Sequence, residues 1–165
     1  MSTSSTSPPN PLTTPIGLTR YAFDYIEAAL VLEENAASKA PSNHISPIPA
    51  YFLAIHGIEL CLKAFLMHLG LSLKELKGLS HNLHALFRKS KELGLLDSFT
   101  VHPDDMVAMN LLITLNKDSG LRYIKTGLKE FPSWSIVEPL AVRLHQSVSG
   151  LVGYKTFTNS YAAYA

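Results

Sequence analysis

Apolar residues return every third or fourth position through most of this chain, a period that predicts helices. From Gly17 to Ala37, Leu18, Tyr21, Ala22, Tyr25, Ala29 and Leu32 form one stripe, and Asp24, Glu27, Glu33 and Glu34 make the polar parts acidic. Residues 38–49, with three prolines and an Asn, read as a loop. Ala50 to Leu69 is apolar around most of its circumference (Phe52, Leu53, Ile55, Ile58, Leu60, Leu62, Phe65, Leu66, Leu69), the pattern of a central helix covered by neighbours, with Gly70 as its stop. A short turn is predicted over Ser72–Lys77, ended by Gly78. A helix follows over His81–Leu93, burying Leu83, Leu86, Phe87, Ser90 and Leu93 and exposing His84, Arg88 and Lys91. Another starts at Pro103 or Asp104, with Asp104 and Asp105 at its positive end, and reaches Asn116. Leu121–Lys125 is extended or loop-like. Ser135-Ile-Val-Glu138 fits a capping box for the last helix, with Pro139 in the first turn and a stripe of Val137, Leu140, Ala141, Leu144, Val148, Leu151 and Val152. No segment alternates as a strand would. The expected fold is all-α, a bundle of four or five helices.

The ends change that picture only at the margins. The first fifteen residues carry eight Ser/Thr, four Pro and no charge, too little apolar surface to offset ordering, so residues 1–15 are expected to form a disordered tail. They have neither the basic start nor the apolar stretch of a secretory signal. The bundle domain is expected over 16–153, with a C-terminal tail over 154–165. The apolar run Ile45–Leu62 is broken by Pro47, Pro49, His56 and Glu59, which argues against a membrane span, and the expected location is the cytoplasm.

Charge is scarce at 16% and nearly balanced, at +1. That excludes a mainly disordered chain and a binder that attracts polyanions through its global field. Balance conceals segregation: residues 1–62 hold two basic and five acidic side chains, whereas Lys63–Glu92 hold six Lys/Arg and two Glu, net +4. Such a basic middle could meet phosphates or an acidic partner, or be an ordinary solvated face. A lone cysteine, Cys61, between Leu60 and Leu62, rules out an intramolecular disulfide and reads as a small buried hydrophobe.

Candidate chemistry concentrates in two places. His56, Glu59 and Lys63 form a polar stripe at i, i+3 and i+7 on the otherwise apolar second helix. Glu59 and Lys63 are ordered for an i,i+4 ion pair; the stripe could line a ligand groove or be the helix's solvent face. Asp118, Arg122, Tyr123 and Lys125 lie in the break before the last helix, where Arg122 and Lys125 could meet an anion beside a stacking Tyr123. His81 and His84 are three apart with no third ligand nearby, so no metal is expected, and a structural or capping role suits His81 better. No phosphate-binding glycine loop, nucleophile elbow or zinc-protease motif occurs, and no cofactor is expected.

The strings AIHGIELCLKAFLMHLGLS (Ala54–Ser72) and GLSHNLHALFRKSKELGL (Gly78–Leu95) resemble the HEPN superfamily. Many of its members carry an E-L-x-L-K-A helix, a glycine, then a G-H-x-L-x-x-L helix. Glu59-Leu-Cys-Leu-Lys63-Ala64 and Ser80-His81-Asn82-Leu83 occupy those places, and Arg122-Tyr123 looks like an R-Y element of some branches. The resemblance implies a helical bundle, commonly a homodimer, in a group that includes RNA-cleaving toxins, nucleotidyltransferase partners and non-catalytic RNA- or nucleotide-binding members. Its ribonucleases use an Arg followed by four to six residues and then a His, near the last long helix. Here Arg143 has His145 only two residues on, and Lys63-x4-His68 offers Lys, which lacks the bidentate fork of Arg.

The leading expectation is therefore a non-catalytic HEPN-like protein that dimerises and binds RNA, a nucleotide or a partner protein. Its groove is expected to comprise His56, Glu59, Lys63, His81, Arg122 and Tyr123. One alternative is an RNase-type toxin of a toxin–antitoxin or phage-defence system, with His81 as acid or base and Lys63 or Arg122 stabilising the phosphorane. Another is a structural partner of a nucleotidyltransferase.

Overall fold

A computed structural model of the chain describes residues 12–40, 42, 44–117, 121, 123 and 127–161. Asp118, Arg122 and Lys125 lie outside the described residues, as does most of the expected N-terminal tail. Six α-helices fold the rest: α1 (Pro15–Lys39), α2 (Ile48–His68), α3 (Leu73–Leu79), α4 (Leu83–Glu92), α5 (Pro103–Asn116) and α6 (Trp134–Val152), with a 3-10 turn at Leu95–Asp97. No strand occurs among the described residues, so the all-α expectation holds. One helix more than expected arises because α3 closes fully. Ser72 caps it, Glu75 reaches back to the Ser72 amide at 2.7 Å, and Gly78 stays inside the helix.

The prolines around α2 begin the helix rather than break it. Pro47 is the N-cap and Pro49 lies in the first turn, where backbone N–H groups have no helical partner to lose. Gly70 follows the helix at φ +99, a conformation that suits glycine. α2 packs most extensively on α1 and also meets α6, α4 and α3. Ile58, Leu62 and Leu66 are fully buried, each contributing about 1.5–3 kcal/mol of transfer free energy. By length and composition α2 could cross a membrane, but 67% of its most apolar window is buried inside this fold.

The buried stripe of α1 differs from the expected one. Tyr21 is 62% exposed, whereas Thr19, Ala22, Ile26, Ala29 and Glu33 face inward. The contact line runs through small alanines because α2 approaches closely there: a Cβ on Gly57 would stand 2.5 Å from Ile26 Cγ1 and 3.3 Å from the Ala22 carbonyl.

Two helix starts also differ. α4 begins at Leu83, and its N-cap is Asn82, not His81: the Asn82 side chain accepts from the Ala85 amide at 3.0 Å. α6 begins at Trp134 with Ser133 as N-cap, and the Ser135–Glu138 box does not form. Glu138 instead accepts from Trp134 Nε1 at 2.9 Å and from the Tyr161 hydroxyl at 2.5 Å. Pro139 therefore lies inside the helix, not in its first turn, and the carbonyl it leaves unpaired belongs to the exposed Ser135. Beyond Gly153 the chain turns back: Phe157 stacks on Phe23 at 4.4 Å, and Gln146 holds the Phe157 and Asn159 carbonyls.

Candidate functional site

Glu59 is 2% exposed, in the middle of the most apolar helix. A carboxylate placed there must be paired. Lys63, one turn on, donates from Nζ to Glu59 Oε1 at 2.7 Å. The His81 ring reaches the same oxygen from the α3–α4 turn at 2.8 Å, through Nδ1. An ionised carboxylate only accepts, so Nδ1 carries the proton. His56 completes the group, its Nδ1 standing 3.9 Å from Oε2, an electrostatic contact too long for a hydrogen bond. That nitrogen is buried without a hydrogen-bond partner, and the ring meets Tyr25 edge-on at 4.4 Å.

Backbone geometry delivers His81. Ser80 is the one non-glycine with positive φ among the described residues, at +51, and the Asn116 side chain of α5 donates to the His81 carbonyl at 3.0 Å. A strained residue immediately before a polar side chain marks a turn held by its surroundings.

Burial would raise the Glu59 pKa, but His56, Lys63 and His81 outweigh it and hold the carboxyl at about 2. Glu59 is thus charged at any physiological pH and neutralises Lys63. Exposure rises outward across the cluster, from Glu59 at 2% through Lys63 at 16% and His56 at 21% to His81 at 50%. His81 is consequently the group that faces solvent, oriented by a carboxylate behind it. The helices on either side of it in sequence, α3 and α4, expose Lys74, Lys77, His84, Arg88 and Lys91, with Glu75 and Glu92 among them.

The structure brings together four of the six expected groove residues, His56, Glu59, Lys63 and His81. Arg122 lies outside the described residues. Tyr123 is 69% exposed in the α5–α6 connection and makes no hydrogen bond or ring contact among the described residues. Cys61 is fully buried, and burial pushes its thiol pKa far up, so it is an unreactive core residue. No group of three His, Cys, Asp or Glu suited to a metal occurs among the described residues.

Three further polar centres escaped the sequence reading. Arg143 donates to Asp105 Oδ2 at 2.7 Å and also to the Thr100 carbonyl, tying α6 to the start of α5. His145, fully buried, bonds the Thr19 carbonyl through Nε2 at 3.0 Å and meets the Thr156 hydroxyl through Nδ1 at 2.8 Å. Glu33 gathers His44 and Ser46 on one oxygen. Each joins residues at least eleven positions apart, beyond any helical spacing rule. Arg143 and His145, two residues apart, consequently serve different contacts on different sides of α6.

No family model, curated protein or solved structure matches the chain.

Proposed function

We propose that this chain is a non-catalytic, HEPN-like helical module that dimerises and holds a phosphate-bearing ligand, RNA or a nucleotide, at the His81 corner. The supporting observation is the convergence of Lys63 and His81, from two different elements, on one oxygen of Glu59, with exposed Lys77 and His84 close to His81 in sequence. The carboxylate fixes the Lys63 ammonium and the His81 ring in place at once. Arg122, an always-charged fork, belongs to the same proposal through its place in the sequence.

The test is filter binding of a labelled RNA oligonucleotide, with ATP as competitor. His81→Ala with Arg122→Ala should weaken binding by about tenfold or more, the scale of one lost charge-assisted contact. The logarithm of the affinity should also fall linearly with the logarithm of salt concentration. Unchanged binding in a double variant that keeps its helical circular dichroism rejects the reading. If neither RNA nor nucleotide binds the wild type, a protein partner such as a nucleotidyltransferase becomes the better reading.

One observation favours a second reading, an RNase-type toxin. Glu59 and His81 form a carboxylate–imidazole pair at 2.8 Å with Lys63 beside it, the arrangement that orients a general acid or base near a group able to stabilise negative charge. This reading requires that expression inhibits growth and cleaves RNA, and that His81→Ala relieves both.

A further inference from the structure

A cleft of about 550 Å³, a size suited to small ligands, opens where the C-terminal part of α1, the first turns of α2 and the start of α6 meet. Its walls include Glu33, His44, Ser46, Tyr51, Phe131 and Trp134. The Glu33 side chain is 9% exposed. Its Oε1 accepts from His44 Nε2 at 2.5 Å and from the Ser46 hydroxyl at 2.9 Å, while Oε2 is buried with no donor at all. A buried carboxylate oxygen left without a donor is unfavourable, so an occupant that supplies positive charge there is favoured.

His44 and Ser46 both bond Oε1, and no lining residue bonds Oε2. The Tyr51 hydroxyl, the nearest candidate by type, is committed to the Pro132 carbonyl at 2.7 Å. No Lys or Arg lines the cleft among the described residues. The cleft also carries aromatic lining: the Tyr51 ring packs against Phe131 at 5.0 Å and against Trp134 at 5.5 Å. Burial raises the Tyr51 phenol pKa, and the Glu33 charge acts in the same direction.

We infer that this cleft binds a small organic ammonium group, with Glu33 as counter-ion and Tyr51, Phe131 and Trp134 as a cation–π wall. Aromatic faces attract a cation within about 6 Å of their centroids and tolerate a methylated, weakly hydrated head better than a compact inorganic ion. A divalent metal is disfavoured by the donor set, one carboxylate and one imidazole among the charged or ligating groups. This site shares no lining residue with the His81 corner. It stands or falls independently of the proposed phosphate ligand.

The experiment uses the chain's own reporter, since Trp134 is its single tryptophan. Choline chloride is titrated against the full chain at constant ionic strength while tryptophan emission is followed. 3,3-Dimethylbutan-1-ol, which has the same shape without the charge, is titrated alongside. The expected result is a saturable emission change with choline at up to about 10 mM, none with the alcohol, and at least about tenfold weaker binding in Glu33→Gln. Equal response to the alcohol, no saturable change with choline, or unchanged affinity in Glu33→Gln each overturns the inference. If Glu33→Gln does not fold, an amide and indole NMR titration of the wild type decides. Choline-dependent shifts centred on the Trp134 indole and Ser46 support the site, and shifts centred elsewhere overturn it.

Discussion

Glu59 in α2 and His145 in α6 both place an ionisable side chain in the core, at 2% and 0% exposure, and the core treats them oppositely. Glu59 stays charged because three nitrogen-bearing side chains surround it, and one of them leads out to solvent. His145 is held neutral: burial lowers its pKa, against the raising effect of its bond to the Thr19 carbonyl. Since that carbonyl can only accept, Nε2 carries the proton and Nδ1 accepts from the hydroxyls of Thr156 and Ser149, at 2.8 and 3.0 Å. Phe23 and Phe157 close over the ring at 5.6 and 5.2 Å. Burial alone therefore does not mark a functional group. An outlet to solvent separates a site from a strut.

The comparison breaks first at Glu59. Replacing it with Ala strands a partly buried Lys63 and frees His81, and should lower unfolding free energy by about 3 kcal/mol in urea denaturation. The apolar pair Glu59→Leu with Lys63→Met should recover most of that loss. A Glu59→Ala cost below about 1 kcal/mol would mean that the cluster is not an interdependent network. His145→Phe keeps volume but leaves the Thr156 hydroxyl and the Thr19 carbonyl without the ring. Its cost should be about 2 kcal/mol, with ligand binding at the His81 corner untouched. A loss of RNA or nucleotide binding in this variant would dissolve the distinction between strut and site.

Acid separates the two centres more gently. Glu59 has a folded pKa of about 2, below the ordinary value of 4.5, so its stabilisation is present above pH 4.5 and is lost as pH falls toward 2. His145 is also depressed, so the unfolded chain takes up a proton first, and stability should already decline as pH falls below about 6.5. Denaturation midpoints against pH should therefore show two descents, with His145→Gln removing the upper one and Glu59→Gln the lower. The smallest effect is expected at the exposed Arg88–Glu92 pair, 3.7 Å apart, where Arg88→Ala should leave the midpoint unchanged.

Periodicity placed five of the helices within a few residues, because each has an apolar face that repeats. Where it slipped, local chemistry had been read without its tertiary partner. Tyr21 and Ile26 both suit a stripe on α1, and only the close approach at Gly57 selects Ile26. Ser135 and Glu138 have capping-box spacing, yet Glu138 is taken by Trp134 and Tyr161. The Glu59–Lys63 pair was legible because i,i+4 neighbours are fixed by the helix itself. His81 could be grouped with them but not oriented, since its bond to Glu59 depends on the Ser80 turn and the α5 side chain of Asn116. The Glu33 cleft had no signature, because two members of its aromatic wall, Phe131 and Trp134, come from about a hundred residues further along the chain.

The tight contact at Gly57 also sets an order of assembly. α1 and α2 are consecutive, and the connection between them is short, so their interface closes a small loop before any long-range contact is needed. With no side chain at Gly57 to hold them apart, Ala22 and Ile26 seat directly on α2, and sliding by one residue would drive a side chain into the opposing backbone. This hairpin is then the natural template on which α6 and the later helices condense. Amides of Ala22–Ala29 and Ala54–Leu62 should be the slowest in the chain to exchange with deuterium, and faster exchange there than in α6 would place the nucleus elsewhere.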